Sequence, residues 1–176
     1  MLNSRPNNKN YHQGLYIPVN KDKVLKLNDK GGIYYRSSLE KKMMIFLDHS
    51  KPIRMWSAES IEIPYFSNEV KNGDLEQVKR RYYPDFYYEQ VLSNGEIKKV
   101  IAEVKPKSEY DDAVLLKEGK FTVPDKASIK KMQSLEYKFK MAQKNLAKWE
   151  TMLEFCKMKG FEFIIITDEI LKRRGL

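Results

Sequence analysis

Between Arg80 and Lys107 the chain reads R-R-Y-Y-P-D-F-Y-Y-E-Q-V-L-S-N-G-E-I-K-K-V-I-A-E-V-K-P-K. Two strand-like runs flank Ser93-Asn94-Gly95, a strong short-range hairpin signal. The first run carries Asp85 directly after Pro84, and the second carries Glu103 and Lys105. Strand side chains repeat every second residue, so Glu103 and Lys105 share a face. Register decides whether Asp85 joins them. A two-residue turn at Asn94-Gly95 sets Asp85 opposite Val104, on the wrong face. A three-residue turn with Gly95 in the left-handed region sets it opposite Glu103. The expectation is the odd loop, or an equivalent bulge near Pro84, with Ala102 and Val104 hidden beneath. Two acids and a lysine at one end of a hairpin suit a metal ion and an attacking water.

Composition narrows the setting. A chain of 176 residues suits one domain with a proper core. Lys plus Arg is 33 against 24 Asp plus Glu, a balance of +9, which favours a polyanionic partner or serves solubility alone. The single cysteine, Cys156, forms no internal disulfide and points to a reducing compartment. With only His12 and His49, far apart, a structural zinc site is not expected. No run approaches a membrane span and the start has no apolar signal region, so a soluble intracellular protein is expected.

In chain order, residues 1–30 read as a flexible arm that Leu15, Tyr16 and Ile17 anchor on the body, and residues 31–176 as one domain. A helix from Ser38 to Asp48 buries Leu39, Met43, Phe46 and Leu47. Ser37 and Glu40 fit a capping box, the glutamate closing back on the helix start. Arg36 reads as a phosphate grip at that helix start or as surface. Asp48-His49 reads as a solvated helix end. Ile53 to Phe66 alternates like one strand, with Trp56 in the core, and Glu59 either beside the site or exposed. Ser67 to Lys79 reads as a polar connection turning at Asn72-Gly73, giving antiparallel strands over 53–66, 80–90 and 97–105. Ser108 to Ala127 reads as a long connection acting as a substrate-side flap.

From Ser128 to Lys159 the pattern is helical, with an apolar seam through Met132, Leu135, Phe139, Ala142, Leu146, Trp149, Leu153 and Cys156. Lys140, Lys144 and Lys148 fall on the outer side, as a DNA-backbone ridge or a solvated face. Gly160 ends the helix. Phe161 to Thr167 is almost continuously apolar, as in a strand covered on both faces, and follows a helical crossover back to the hairpin. Asp168 then caps a short basic tail helix, Glu169 to Arg174.

The spelling Pro84-Asp85, then Glu103-Val104-Lys105, is the pattern of the PD-(D/E)XK nuclease superfamily. It is preceded by Y-R-S-S-L-E (Tyr35 to Glu40) and W-S-A-E-S-I-E-I-P-Y (Trp56 to Tyr65), with Y-H-Q-G-L-Y-I-P-V-N near the start. That order resembles the TnsA-like transposon endonucleases, and resembles more closely the head-completion nucleases of T-even-type tailed bacteriophages, over roughly residues 11–171. The resemblance implies an α/β fold with a restriction-endonuclease-like core, a mixed sheet of antiparallel hairpins plus a parallel fourth strand, flanked by helices. It implies magnesium-dependent hydrolysis of double-stranded DNA, with manganese substituting. Asp85, Glu103 and the Val104 carbonyl would hold the ion, and Lys105 would orient or deprotonate the attacking water. Glu40 would face the metal site, reaching the ion through water, against its capping role. Lys107 joins Arg36, Lys140, Lys144 and Lys148 as a DNA contact. The role implied is completion of the DNA-filled head, in the host cytoplasm or in the virion head or neck, with head or portal proteins as partners and a homodimer as one form. A transposon endonuclease and a non-catalytic head or neck protein are the alternatives.

Overall fold

The strands β6 (Phe86–Val91) and β7 (Ile97–Lys105) form the hairpin in a computed structural model that describes residues 12–71, 74–124 and 126–176. Its turn is the odd-membered one. The Leu92 N–H donates to the Glu96 carbonyl at 2.8 Å, and Gly95 takes φ +85°, a conformation that a side chain would strain. Phe86 pairs with Ala102, so the next position outward brings Asp85 opposite Glu103.

Four strands make the main sheet, in the order β3 (Ile53–Ala58), β6, β7 and β8 (Glu162–Thr167). The first two pairings are antiparallel and the last is parallel. A parallel neighbour requires a crossover, and α2 (Lys107–Lys117) with α3 (Ile129–Lys159) supplies it. The α/β mixed sheet is thus the one the sequence implied. Alternation along β7 assigns the two faces. Val100, Ala102 and Val104 enter a cluster with Met43, Met44 and Leu47 of α1 (Ser38–His49) and Leu171 of α4 (Asp168–Arg173). Ile101 turns the other way, onto Met152 and Cys156 of α3. Trp56 and Leu47 are wholly buried, and full burial of such side chains contributes about 1.5–3 kcal/mol each. By period two, Glu103 and Lys105 lie on the α3 face.

Several expected elements differ. The run 53–66 is not one strand: it breaks at Glu59, whose φ is +45°. Beyond the break, β4 (Ile63–Lys71) pairs along its length with β5 (Asp74–Tyr82) in a separate two-stranded ribbon. The run 80–90 divides likewise, because Pro84 has no N–H to donate to a strand ladder. The polar stretch 67–79 is therefore strand rather than connection. The turn at Asn72-Gly73 lies outside the described residues, between the paired Lys71 and Asp74. The connection after β7 begins as a helix: Ala113 of α2 is buried against Ala142 and Trp149 of α3, with Tyr110 and Leu116 beside it. Helix α3 runs unbroken over 31 residues, but it buries Ala142, Asn145, Trp149, Met152 and Cys156. Met132, Phe139 and Leu153 of the expected seam are exposed. Asp168 caps α2 instead of its own helix, accepting the Lys107 N–H at 2.8 Å.

The largest departure is Asp48. It is wholly buried rather than solvated. Its carboxylate accepts the Tyr16 hydroxyl at 2.6 Å and the N–H groups of Val19 and Asn20 at 2.8 and 2.9 Å, while the Asn20 side chain donates to its carbonyl. Burial pushes the Asp48 pKa up, yet these hydrogen bonds outweigh it and hold the pKa below the ordinary value. From Gly14 the N-terminal segment is thereby strapped to the body, with β1 (Gly14–Tyr16) paired to β2 (Ile33–Tyr35).

Candidate active site

The hairpin delivers Asp85, Glu103 and Lys105 to one place. The Val104 N–H donates to Asp85 Oδ2 at 2.8 Å, tying the aspartate to the strand that carries the other two residues. Lys105 Nζ lies 3.0 Å from Glu103 Oε1. On the other oxygen, Glu103 Oε2 accepts the Tyr82 hydroxyl at 2.7 Å. Tyr82, at the end of β5, packs on Met152 and Cys156, so the ribbon and α3 together roof the site.

Electrostatics sets this cluster apart. Burial raises the Asp85 pKa well above the ordinary carboxylate value, and the Glu103 charge raises it further. Lys105 and the Val104 N–H pull in the other direction without compensating, and Glu40 adds to the repulsion. Burial disfavours the Lys105 ammonium, but Glu103 and Asp85 hold its pKa above the usual lysine value. Tyr82 is pushed upward by burial and by Glu103. The arrangement is a buried carboxylate, Glu103, and a half-buried one, Asp85, with one lysine in contact with the first: two acids to one base.

Among the described residues, no three or more His, Cys, Asp or Glu side chains converge as metal ligands. The donors present fit a hard cation: two carboxylates in mutual repulsion, both oxygen ligands. Magnesium is characteristically held by one or two carboxylates while it keeps several waters.

The family model for the N-terminal region of TnsA-like endonucleases matches residues 50–168, which include Asp85, Glu103 and Lys105. The chain belongs to the TnsA-like endonuclease family. It is also 30% identical over 164 residues to the head completion nuclease of Enterobacteria phage T4, spanning 93% of this chain and 96% of that protein.

The other expected site residues of this TnsA-like endonuclease are placed differently from one another. Glu40 forms the capping box: its N–H donates to Ser37 Oγ at 3.1 Å, and its carboxylate accepts the Arg36 N–H at 2.8 Å and the Ser37 hydroxyl at 2.9 Å. It remains close enough for Asp85 to feel its charge. The Arg36 guanidinium is paired with Glu59 at 2.9 Å, and Lys107 with Asp111. Lys140 pairs with Glu136 one turn away, and Lys144 is exposed.

Lys148 departs from the expected outer ridge. Its ammonium lies 4.7 Å from the centre of the Tyr82 ring. Burial lowers its pKa, partly opposed by the attraction of Glu103 and reinforced by the positive charge of Lys105. Together with Tyr82 it is the neighbour of the acids that sequence reasoning missed. The sequence held one clue. Four residues advance about 40° around a helix, so a seam drawn through Met152 instead of Leu153 puts Lys148 at the edge of the buried arc. For Tyr82 no local pattern existed, because its role depends on where the ribbon folds.

Proposed function

We propose that this endonuclease hydrolyses phosphodiester bonds of double-stranded DNA with a divalent cation, and that it acts in phage head completion, as its T4 relative is named for doing. One observation carries the chemistry: a half-buried Asp85 and a buried Glu103 share a site in which the Asp85 charge is not compensated, while Lys105 is in contact with Glu103. Asp85, Glu103 and the Val104 carbonyl would hold magnesium, or manganese in its place, and Glu40 would act through water, since its oxygens already serve the helix start. Such an ion supplies Lewis acidity toward the phosphate and a more acidic bound water.

The remaining work falls to the chain. The Val104 N–H and the Tyr82 hydroxyl fix one oxygen each of Asp85 and Glu103, so neither carboxylate must reorganise during the reaction. Lys105 keeps its proton beside Glu103, where it orients the attacking water and stabilises charge growing on the phosphate. Lys148 of α3, over the Tyr82 ring, presents a second positive group that would serve the departing oxygen.

Plasmid nicking tests this reading. Wild-type protein is expected to convert supercoiled DNA to open-circle or linear forms with magnesium and not with EDTA, and Lys105→Ala to lose this activity. Equal cutting by Lys105→Ala, or none by the wild type, would overturn it.

A further inference from the structure

The β4–β5 ribbon has two unlike faces. Toward the body, Ile63, Tyr65 and Tyr82 are buried on α3. On the outer face, register pairs Pro64 with Arg81, Phe66 with Lys79, and Asn68 with Gln77. All six are exposed, Phe66 at 53%. A solvated face with an open phenyl ring between two cations is not explained by packing.

Its position gives the face a partner. Strand β5 leads straight into the site: Tyr82, bonded to Glu103, is its last residue, and Asp85 comes three positions later. Cations are concentrated at this basal end, with Lys79, Arg80 and Arg81 in succession, whereas Asp74 and Glu76 lie toward the tip. Lys79 and Arg81 project on the same side, because strand side chains alternate. Arg81 stands 3.8 Å from Glu62 with its own side chain 73% exposed, so it retains most of its access to solvent. The ribbon is nine residues long, roughly 30 Å at about 3.3 Å per residue. A two-stranded ribbon is among the elements that the major groove of duplex DNA admits.

We infer that the outer basal face of the β4–β5 ribbon, built on Lys79, Arg81 and Phe66, binds the duplex DNA flanking the scissile phosphate. The inference rests on the nuclease reading of the site and adds the surface that holds the substrate against it. Lys79 and Arg81 contact phosphates, which positions the duplex without reading its sequence.

The test separates binding from cleavage. Affinity for a fluorescent duplex is measured by anisotropy in EDTA across a salt series, for the wild type, a Lys79→Gln/Arg81→Gln variant, and a Lys157→Gln/Lys159→Gln control of equal charge, at the exposed far end of α3. Each phosphate contact contributes about 0.9 to the slope of log affinity against log salt. The ribbon variant is therefore expected to lose about 1.8 of that slope, and the control to lose clearly less. Equal losses would mean that net charge alone matters and would overturn the inference. So would a ribbon variant with the wild-type slope, leaving the face for a protein partner. Wild-type duplex binding without any nicking would remove the nuclease reading and leave the ribbon as a DNA-binding surface. Absence of duplex binding by the wild type would remove the inference outright. Circular dichroism of both variants establishes that they are folded.

Discussion

Two aspartates in this chain are drawn out of water, Asp48 wholly and Asp85 in part, with opposite results. Asp48 has its negative charge answered from three directions, by Tyr16, Val19 and Asn20, and its pKa falls below the ordinary value. Asp85 accepts a hydrogen bond from Val104, faces a second carboxylate, and has its pKa driven well upward. Desolvation pushes both pKa values upward, so it alone does not distinguish a structural acid from a chemical one. Completeness of the hydrogen-bonding shell does. Asp48 is a finished clasp for the N-terminal segment, whereas Asp85 waits for a positive charge that the protein does not itself provide in full.

The sharpest way to break this contrast is to exchange each carboxylate for its amide. Asp85→Asn is expected to reduce DNA cleavage by about a thousandfold or more, equivalent to losing about 4 kcal/mol of transition-state stabilisation. Its melting temperature in EDTA should equal or exceed that of the wild type, because the substitution removes a repelled charge. Asp48→Asn should do the reverse. Losing a charged acceptor for several buried donors costs about 3 kcal/mol, or roughly 6–12 °C in melting temperature for a domain of this size, with cleavage by the folded fraction preserved. If Asp85→Asn melts far below the wild type, or Asp48→Asn matches it, the division between the two acids fails.

Cation binding should act on one member only. At magnesium a hundredfold above its dissociation constant, preferential binding to the fold stabilises by about 2.7 kcal/mol. Differential scanning fluorimetry is expected to show this shift for the wild type and Asp48→Asn, and to show little for Asp85→Asn. A shift retained in Asp85→Asn would place the ion elsewhere.

The two acids also bend the pH profile in opposite directions. Asp48 has a depressed pKa in the fold, so its contribution is complete above the unfolded value of about 3.9 and is lost as pH falls through the lower folded value. Asp85 has a raised pKa, so the fold retains a proton that the unfolded chain has released. Its ionisation therefore weakens the metal-free protein as pH climbs from about 3.9 toward the raised folded value. Denaturant melts in EDTA read both. The stability gap between wild type and Asp48→Asn should narrow on acidification below about pH 4, while the gap in favour of Asp85→Asn should widen as pH rises above it. Parallel gaps would contradict the opposed shifts.

How far the sequence revealed these sites depends on the range of their contacts. The hairpin was legible because Gly95 and a period of two fix its register locally, and Asp85, Glu103 and Lys105 came with it. Strand β8 announced itself through its apolar run. Asp48 did not, because its partners Asn20 and Tyr16 lie 28 and 32 residues away in the chain. Helix α2 was hidden by its charge, since Ala113 is its one fully buried side chain. The ribbon was hidden because its outer face is polar, so only the pairing of two distant runs turns it into structure.

Glu59 offers the smallest test, on the stressed side of the comparison. It is the one residue other than glycine with positive φ among those described, and its N–H donates to the Asp85 carbonyl at 3.1 Å. Left-handed backbone costs a residue with a Cβ about 1–3 kcal/mol, while the exposed Arg36 pair that Glu59 makes returns about 0–1 kcal/mol. Glu59→Gly removes both, so a net gain of about 1 kcal/mol in denaturant stability is expected, together with slower cleavage as the loop behind Asp85 loosens. The two effects have opposite signs, which a merely destabilising substitution cannot produce. If stability and activity fall together, the turn is not storing strain for the site, and the stress around Asp85 is confined to its carboxylate.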